Sequence, residues 1–279
     1  MAQNQIDITV PEKLLPIFSS AHRFITIHGG RGSAKSHTVA RMLLVKGMQK
    51  KSRFLCCREI QKSISQSVHK LLSDIINDSP VLSKFYVITE KAIRGANGTE
   101  FIFQGLYQNE QSVKSTEGID VAWVEEAQSI SRKSLAVLIP TIRQIGSQII
   151  FTLNPTNADD PVYVDYVAVE RPDNLRIECN YSDNPFFPDV LRADMEFDRA
   201  HDSDAYLHIW EGKPVRHSDA QVFKGKWVID EFEAPEKTFF YLGADFGFSA
   251  DPSTLIRCFV HDKRLYMDYE YYQTRLEIT

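Results

Sequence analysis

The stretch "HGGRGSAKSH", His28 to His37, decides how the chain is read. It nearly fits G-x-x-x-x-G-K-[ST], a Gly-rich turn between a buried strand and a helix. In that motif backbone N–H groups surround phosphate oxygens, the lysine reaches the phosphates and the hydroxyl reaches magnesium. Gly29 opens the pattern, Lys35 and Ser36 close it, and Ala34 stands where the pattern has glycine. The flanks agree with the motif. Before it, "RFITIHGG" runs the β-formers Phe24, Ile25 and Ile27 into a glycine pair. After it, "SHTVARMLLVKGMQK" places Val39, Met42, Leu43 and Val45 at roughly helical spacing. Alanine at position 34 adds a methyl group and loses left-handed freedom, yet phosphate-facing amides do not require glycine there. The expectation is a phosphate loop made of Gly29, Gly30, Arg31, Gly32, Ser33, Ala34, Lys35 and Ser36. The bland alternative is a Gly-rich turn that ends in Lys-Ser.

With 279 residues, 43% of them hydrophobic, the chain is long enough for one sizeable core and a smaller unit. A formal net charge of -5 carries no global basic signature, so any nucleic-acid surface is local. Cys56, Cys57, Cys179 and Cys258 match neither a zinc spacing nor a disulfide framework, and read as small buried hydrophobes in a reducing compartment. No apolar run reaches the ~18 residues of a membrane span, and "MAQNQIDITVPEK" lacks a signal pattern. A cytoplasmic location with no membrane partner is expected.

Downstream, "RFLCCRE" reads as a second strand and "IQKSISQSVHKLLSDIIND" as a helix with Ile64, Val68, Leu71, Leu72 and Ile75 on one face. "KFYVITEKAIRGANGTEFIFQGL" reads as two strands around an Asn97-Gly98 turn. "GIDVAWVEEA" and "SQIIFTLNPT" are buried strands ending in polar residues, separated by the helix "SRKSLAVLIPTIR". Strands alternating with helices predict an α/β fold with a mainly parallel sheet, whose ligands sit beyond the carboxyl ends of the strands. Residues 1–156 form the expected core. Residues 157–214, rich in Asp, Asn and Pro, form a lid or a helical appendage, and 215–236 a connector. From 237 to 279 three consecutive strands begin a second domain.

Three constellations carry chemistry. Glu125 and Glu126 end the strand "VAWVEE": Glu125 is read as the magnesium-side acid, standing where aspartate is usual, and Glu126 as the group that activates water. A solvated strand end is the alternative. Asn154, at the end of "FTLNP", is placed to sense the γ-phosphate, or simply marks a turn. Arg31 is a candidate for neutralising transition-state charge, and Lys114 for doing the same in a neighbouring subunit. Asp245 in "LGADFG", followed by Asp251, ends an apolar strand as two-metal nuclease acids do, although glycine-flanked aspartates often only turn the chain.

Taken in order, "GGRGSAKS", "CCREIQKSISQSV", "STEGIDVAWVEEA", "TLNP", "NYSDNPFFP", "YLHIWEGKP" and "GADFGFSADP" resemble the large terminase subunit of tailed bacteriophages, the motor that packages DNA into proheads. The resemblance implies a P-loop ATPase of the additional-strand type, a small lid subdomain and the first strands of an RNase H-like nuclease. It implies ATP and Mg2+ as cofactors, with Mg2+ or Mn2+ at the nuclease site. By that likeness Lys35 and Ser36 take the phosphate-loop roles, Arg31 is the loop arginine, Glu125 and Glu126 are the acidic pair, and Asn154 is the coupling motif. Asp245 matches the first nuclease acid. Double-stranded DNA, a small terminase subunit, the portal protein and a ring of like subunits are the implied partners. The family's remaining nuclease acids lie beyond the point where this chain stops, and Asp268 and Glu270 do not replace them. The expectation is a complete ATPase and an incomplete nuclease, in a natural truncation, a gene fragment or one piece of a split enzyme. A P-loop kinase, an AAA-type remodeller and a non-catalytic prophage product are the rival readings.

Overall fold

The computed structural model describes residues 8–60, 64–107, 109, 113, 116–215, 228, 230–247 and 252–274. Lys114, Asp251 and most of the connector lie outside them. The chain divides into two units, Met1–Ala220 and Gln221–Thr279.

In the first unit the strands are β1 (Phe24–His28), β2 (Arg53–Arg58), β3 (Tyr86–Ile88), β4 (Ala92–Gly95), β5 (Glu100–Gly105), β6 (Val121–Glu125), β7 (Gln148–Leu153) and β8 (Asn174–Glu178). They form one eight-stranded sheet in the order β3-β4-β5-β2-β6-β7-β1-β8. The run from β5 to β8 is parallel, while β3, β4 and β5 pair antiparallel at one edge. β1 and β7 are buried at every position, as strands covered on both faces must be.

Period-two alternation sorts the side chains into two cores. Ile25, Ile27, Phe54, Cys56 and Trp123 fill one face, with Val39 and Leu43 of helix α1 (Lys35–Gln49), Leu72 and Ile76 of α2 (Lys70–Asn77) and Leu82 of α3 (Pro80–Phe85). Phe24, Leu55, Cys57, Ala122, Val124 and Phe151 fill the other, with Leu135 and Leu138 of α4 (Arg132–Thr141). Trp123 is fully buried, and its indole N–H donates to Thr152 Oγ1 at 2.9 Å, tying β6 to β7. β7 lies between the strand that feeds the Gly-rich loop and the strand that ends in the acids, which is the additional-strand arrangement.

Two local expectations need correction. The "KFYVI" segment supplies a third strand, β3, beyond the β4–β5 hairpin that turns at Asn97-Gly98. The helix expected from residue 60 contains a π turn over Ser65–His69 before it becomes α-helical at Lys70. The 157–214 segment, read as a lid or a helical appendage, also contributes to the main sheet: its residues Asn174–Glu178 are β8, paired in parallel with β1 over the whole length of both strands. Their polar, half-exposed sequence "NLRIE" hides a strand that only its neighbour reveals. The same segment adds α5 (Asp189–His201) and α6 (Ser203–Ile209), which pack around Phe187, Met195 and Trp210.

The second unit is a three-stranded antiparallel sheet of β9 (Tyr241–Asp245), β10 (Pro252–His261) and β11 (Arg264–Thr274), in the order β11-β10-β9. Phe259 stacks on Tyr266, and Phe232 and Phe240 pack against Phe259 edge-on. No helix among the described residues is long and apolar enough to cross a membrane.

Candidate functional site

The carboxyl ends of β1, β6 and β7 gather the loop residues, the acidic pair and Asn154, because neighbouring parallel strands end at the same edge. Gly29 to Ala34 link β1 to α1, whose first N–H groups have no partner inside the helix and point toward the loop. Ala34 has φ 60 and ψ 16, so alanine adopts the left-handed conformation that glycine normally supplies at this place.

Lys35 is 7% exposed. Its ammonium donates to Gly29 O at 3.0 Å, Gly30 O at 2.7 Å and Ser33 Oγ at 2.8 Å. Burial lowers its pKa to about 7, against opposing pulls from Cys179 and Glu125. The Ser36 hydroxyl donates to Glu125 Oε1 at 3.2 Å, joining the helix start to the end of β6. Burial pushes the Glu125 carboxyl up, and the Arg58 guanidinium opposes it. Glu126, with φ 54, is left-handed and exposed.

The structure differs from the expectation at Gly30 and Arg31, whose N–H groups are not free to cradle an anion. Gly30 N–H donates to Asn180 Oδ1 and Arg31 N–H to Ile209 O, both at 2.7 Å. Asn184 Nδ2 donates to Gly32 O, also at 2.7 Å. Packing closes the same side: a Cβ on Gly30 would lie 1.9 Å from Trp210 O, and one on Gly212 2.4 Å from Gly29 Cα. The Gly-rich loop is therefore braced by residues 180–212. The Arg31 side chain is exposed, and Asn154 lies half-buried directly after β7.

Sequence reasoning missed Arg58, Asn180, Asn184 and Gly212. Arg58 ends an apolar strand and pairs with both acids; its Nε donates to Glu125 Oε2 at 2.5 Å, and its Nη2 contacts Glu126 Oε1. A charged residue at a strand end was the available signal, but its meaning needs the knowledge that β2 and β6 are neighbours. In the second unit Asp245 is exposed, and Asp268 is engaged by Arg257 at 2.8 Å. Among the described residues no three His, Cys, Asp or Glu side chains gather as a metal site.

Comparison with known proteins fits this geometry. The family described as phage terminase large subunit matches residues 21–213. The PBSX phage terminase large subunit of Bacillus subtilis (strain 168) is 23% identical over 296 residues, covering 93% of this chain and 66% of that protein. This chain thus spans about two thirds of the length of the curated relatives it matches. The large terminase from a thermophilic bacteriophage superposes with a TM-score of 0.63 at 14% identity, over 96% of this chain and 69% of that one. The same terminase in complex with ADP gives 0.62 at 14% identity, over 95% and 69%. With its sheet order and its family match agreeing over the ATPase-type unit, the chain belongs to the phage terminase large subunit family.

Proposed function

We propose that this chain binds ATP with Mg2+, hydrolyses it, and couples hydrolysis to the movement of viral double-stranded DNA into a prohead. The observation that carries the reading is the Ser36–Glu125 hydrogen bond at 3.2 Å, beside a buried Lys35 at the start of α1. It puts a hydroxyl, a carboxylate and an ammonium where a strand, a Gly-rich loop and a helix N-terminus converge. A related terminase has been solved with ADP, which supports a nucleotide as the ligand.

In this reading the amides entering α1 receive the terminal phosphates. Lys35 exchanges its contacts with the Gly29 and Gly30 carbonyls for phosphate oxygens, gaining full charges in place of dipoles. Ser36 and Glu125 offer the hard oxygen donors that magnesium takes, and the bound cation would neutralise charge on the phosphate oxygens. Glu126, on its exposed left-handed turn, orients and deprotonates water. Arg31, exposed at the loop, offsets charge that develops on the transferred phosphoryl group. Asn154 senses the γ-phosphate, and residues 157–214 carry the loop's movement outward. DNA is held through its phosphates, so association weakens with salt and depends little on sequence. The motor is a ring of copies working with a small terminase subunit and the portal in the host bacterial cytoplasm. Asp245 is the first acid of an RNase H-like nuclease centre.

The test is Mg2+-dependent ATP hydrolysis by the 279-residue chain with and without linear duplex DNA, beside Lys35→Ala and Glu126→Gln. Turnover stimulated by DNA and lost in both variants is expected. DNA-independent transfer of phosphate to another acceptor would favour a kinase and sink the motor reading.

A further inference from the structure

Two motifs of the sequence, "NYSDNPFFP" and "YLHIWEGKP", supply no group to the chemistry proposed above, yet both lie against the Gly-rich loop. Each peptide unit of the loop is planar and trans, so its C=O and N–H point in opposite directions, and holding one aims the other. Asn180 Oδ1 accepts the Gly30 N–H, which turns Gly29 O to the Lys35 ammonium at 3.0 Å. Ile209 O accepts the Arg31 N–H, which turns Gly30 O to the same ammonium at 2.7 Å. The peptide after Gly32 is gripped by its other end. Asn184 Nδ2 donates to Gly32 O at 2.7 Å, which turns the Ser33 N–H away from Asn184. Among the described residues that N–H has no partner.

Asn184 is 8% exposed and is itself fixed. Its N–H donates to Tyr181 O at 3.1 Å, its O accepts the Phe187 N–H at 3.2 Å and its Oδ1 accepts the Phe186 N–H at 3.0 Å. With Oδ1 taken, the amide NH2 is the end that faces Gly32, so the side chain acts there as a donor. We infer that Asn184 is a positioning residue for phosphate binding: by holding the Gly32 carbonyl it presents the Ser33 N–H to a phosphate oxygen of the nucleotide. The role rests on the ATPase reading, and acts through the loop backbone rather than by touching the nucleotide.

The experiment titrates a fluorescent ADP analogue with Mg2+ into the wild-type chain and its Asn184→Ala and Asn184→Asp variants at about pH 7.5 and 5.5, beside steady-state hydrolysis and urea unfolding. In Asn184→Ala the analogue's Kd rises at least tenfold at both pH values. KM for ATP rises with it while kcat stays within threefold, as expected when binding common to ground and transition states is lost. Asn184→Asp keeps the shape and the acceptor for the Phe186 N–H, but its carboxylate cannot donate, and at the higher pH its Kd rises at least as far. At the lower pH burial and the facing carbonyl favour the protonated carboxyl, whose O–H donates to Gly32 O, and Kd returns to within threefold of wild type. The charged groups on the segments around Asn184 are Arg31 and Lys35 of the loop, Lys13 with Asp183, Arg192 over the Phe187 ring and Glu211 beside Asn180. They are common to all three chains, so the ratio to wild type at each pH isolates residue 184.

A urea midpoint lowered in Asn184→Ala with the analogue's Kd within twofold of wild type would make Asn184 a purely structural residue and overturn the role. A defect in Asn184→Asp that is equal at the two pH values would overturn it too, and that comparison decides alone if Asn184→Ala does not fold. A wild-type chain that binds no nucleotide removes the ATPase reading and this role together. One that binds it, with both variants unimpaired, removes only the role.

Discussion

Gly212→Ala asks whether the turn after α6 shapes the Gly-rich loop. Gly212 has φ +62, and a Cβ there would sit 2.3 Å from Gly29 C, 2.4 Å from Gly29 Cα and 2.5 Å from Gly30 N. Ordinary contact begins near 3.4 Å, so one backbone must yield by about 1 Å, and neither neighbour is a flexible side-chain end. The left-handed conformation costs alanine about 1 kcal/mol and the overlap roughly 1–3 kcal/mol more, for a total loss of about 2–4 kcal/mol. Because the displaced atoms belong to the loop, affinity for a fluorescent ADP analogue falls on the order of tenfold as well, about 1.4 kcal/mol. Gly146→Ala is the matched control: φ is +75, but nothing lies within 4 Å of the added Cβ. It loses about 1 kcal/mol and no affinity. Urea unfolding and analogue titration of both variants make the comparison. Equal destabilisation in the two, with Gly212→Ala binding the analogue as tightly as wild type, would refute the claim that residues 180–212 brace the loop.

Ala34→Gly relieves the left-handed strain at φ 60 while adding freedom to the unfolded chain; the balance is a gain of about 0.5–1 kcal/mol, read from the urea midpoint. His28 is buried, and desolvation lowers its pKa from 6.5 to about 4. The unfolded chain therefore takes up this proton first, so stability is lost as pH falls from 6.5 toward 4, by up to about 3 kcal/mol. His28→Gln flattens that part of the dependence in unfolding measured at about pH 7, 5.5 and 4, and an unchanged slope would reject it. Trp123→Phe removes the indole bond to Thr152, which is 2% exposed, and opens a cavity between β6 and β7. A loss of about 2–4 kcal/mol is expected in denaturant unfolding, and Thr152→Val restores part of it by removing the orphaned hydroxyl.

What the sequence by itself determined is local. The Gly-rich loop between β1 and α1, the apolar runs of β2, β6 and β7, the acids and Asn154 at strand ends, and the three strands after residue 237 are all legible, because periodicity and turn chemistry act over a few residues. What only the tertiary structure decided is which distant segments meet. β8 is polar and half exposed, so its strand character comes from pairing with β1 across 150 residues rather than from its own pattern. Pairing also turned Asn180 and Ile209 into partners of the Gly30 and Arg31 amides, which the motif alone would have left for phosphate. Arg58 and Glu125 lie 67 residues apart in the chain and 2.5 Å apart in space. Such contacts carry no short-range signal, since they are set by the order of strands in the sheet, and that order minimises exposed apolar surface over the whole chain.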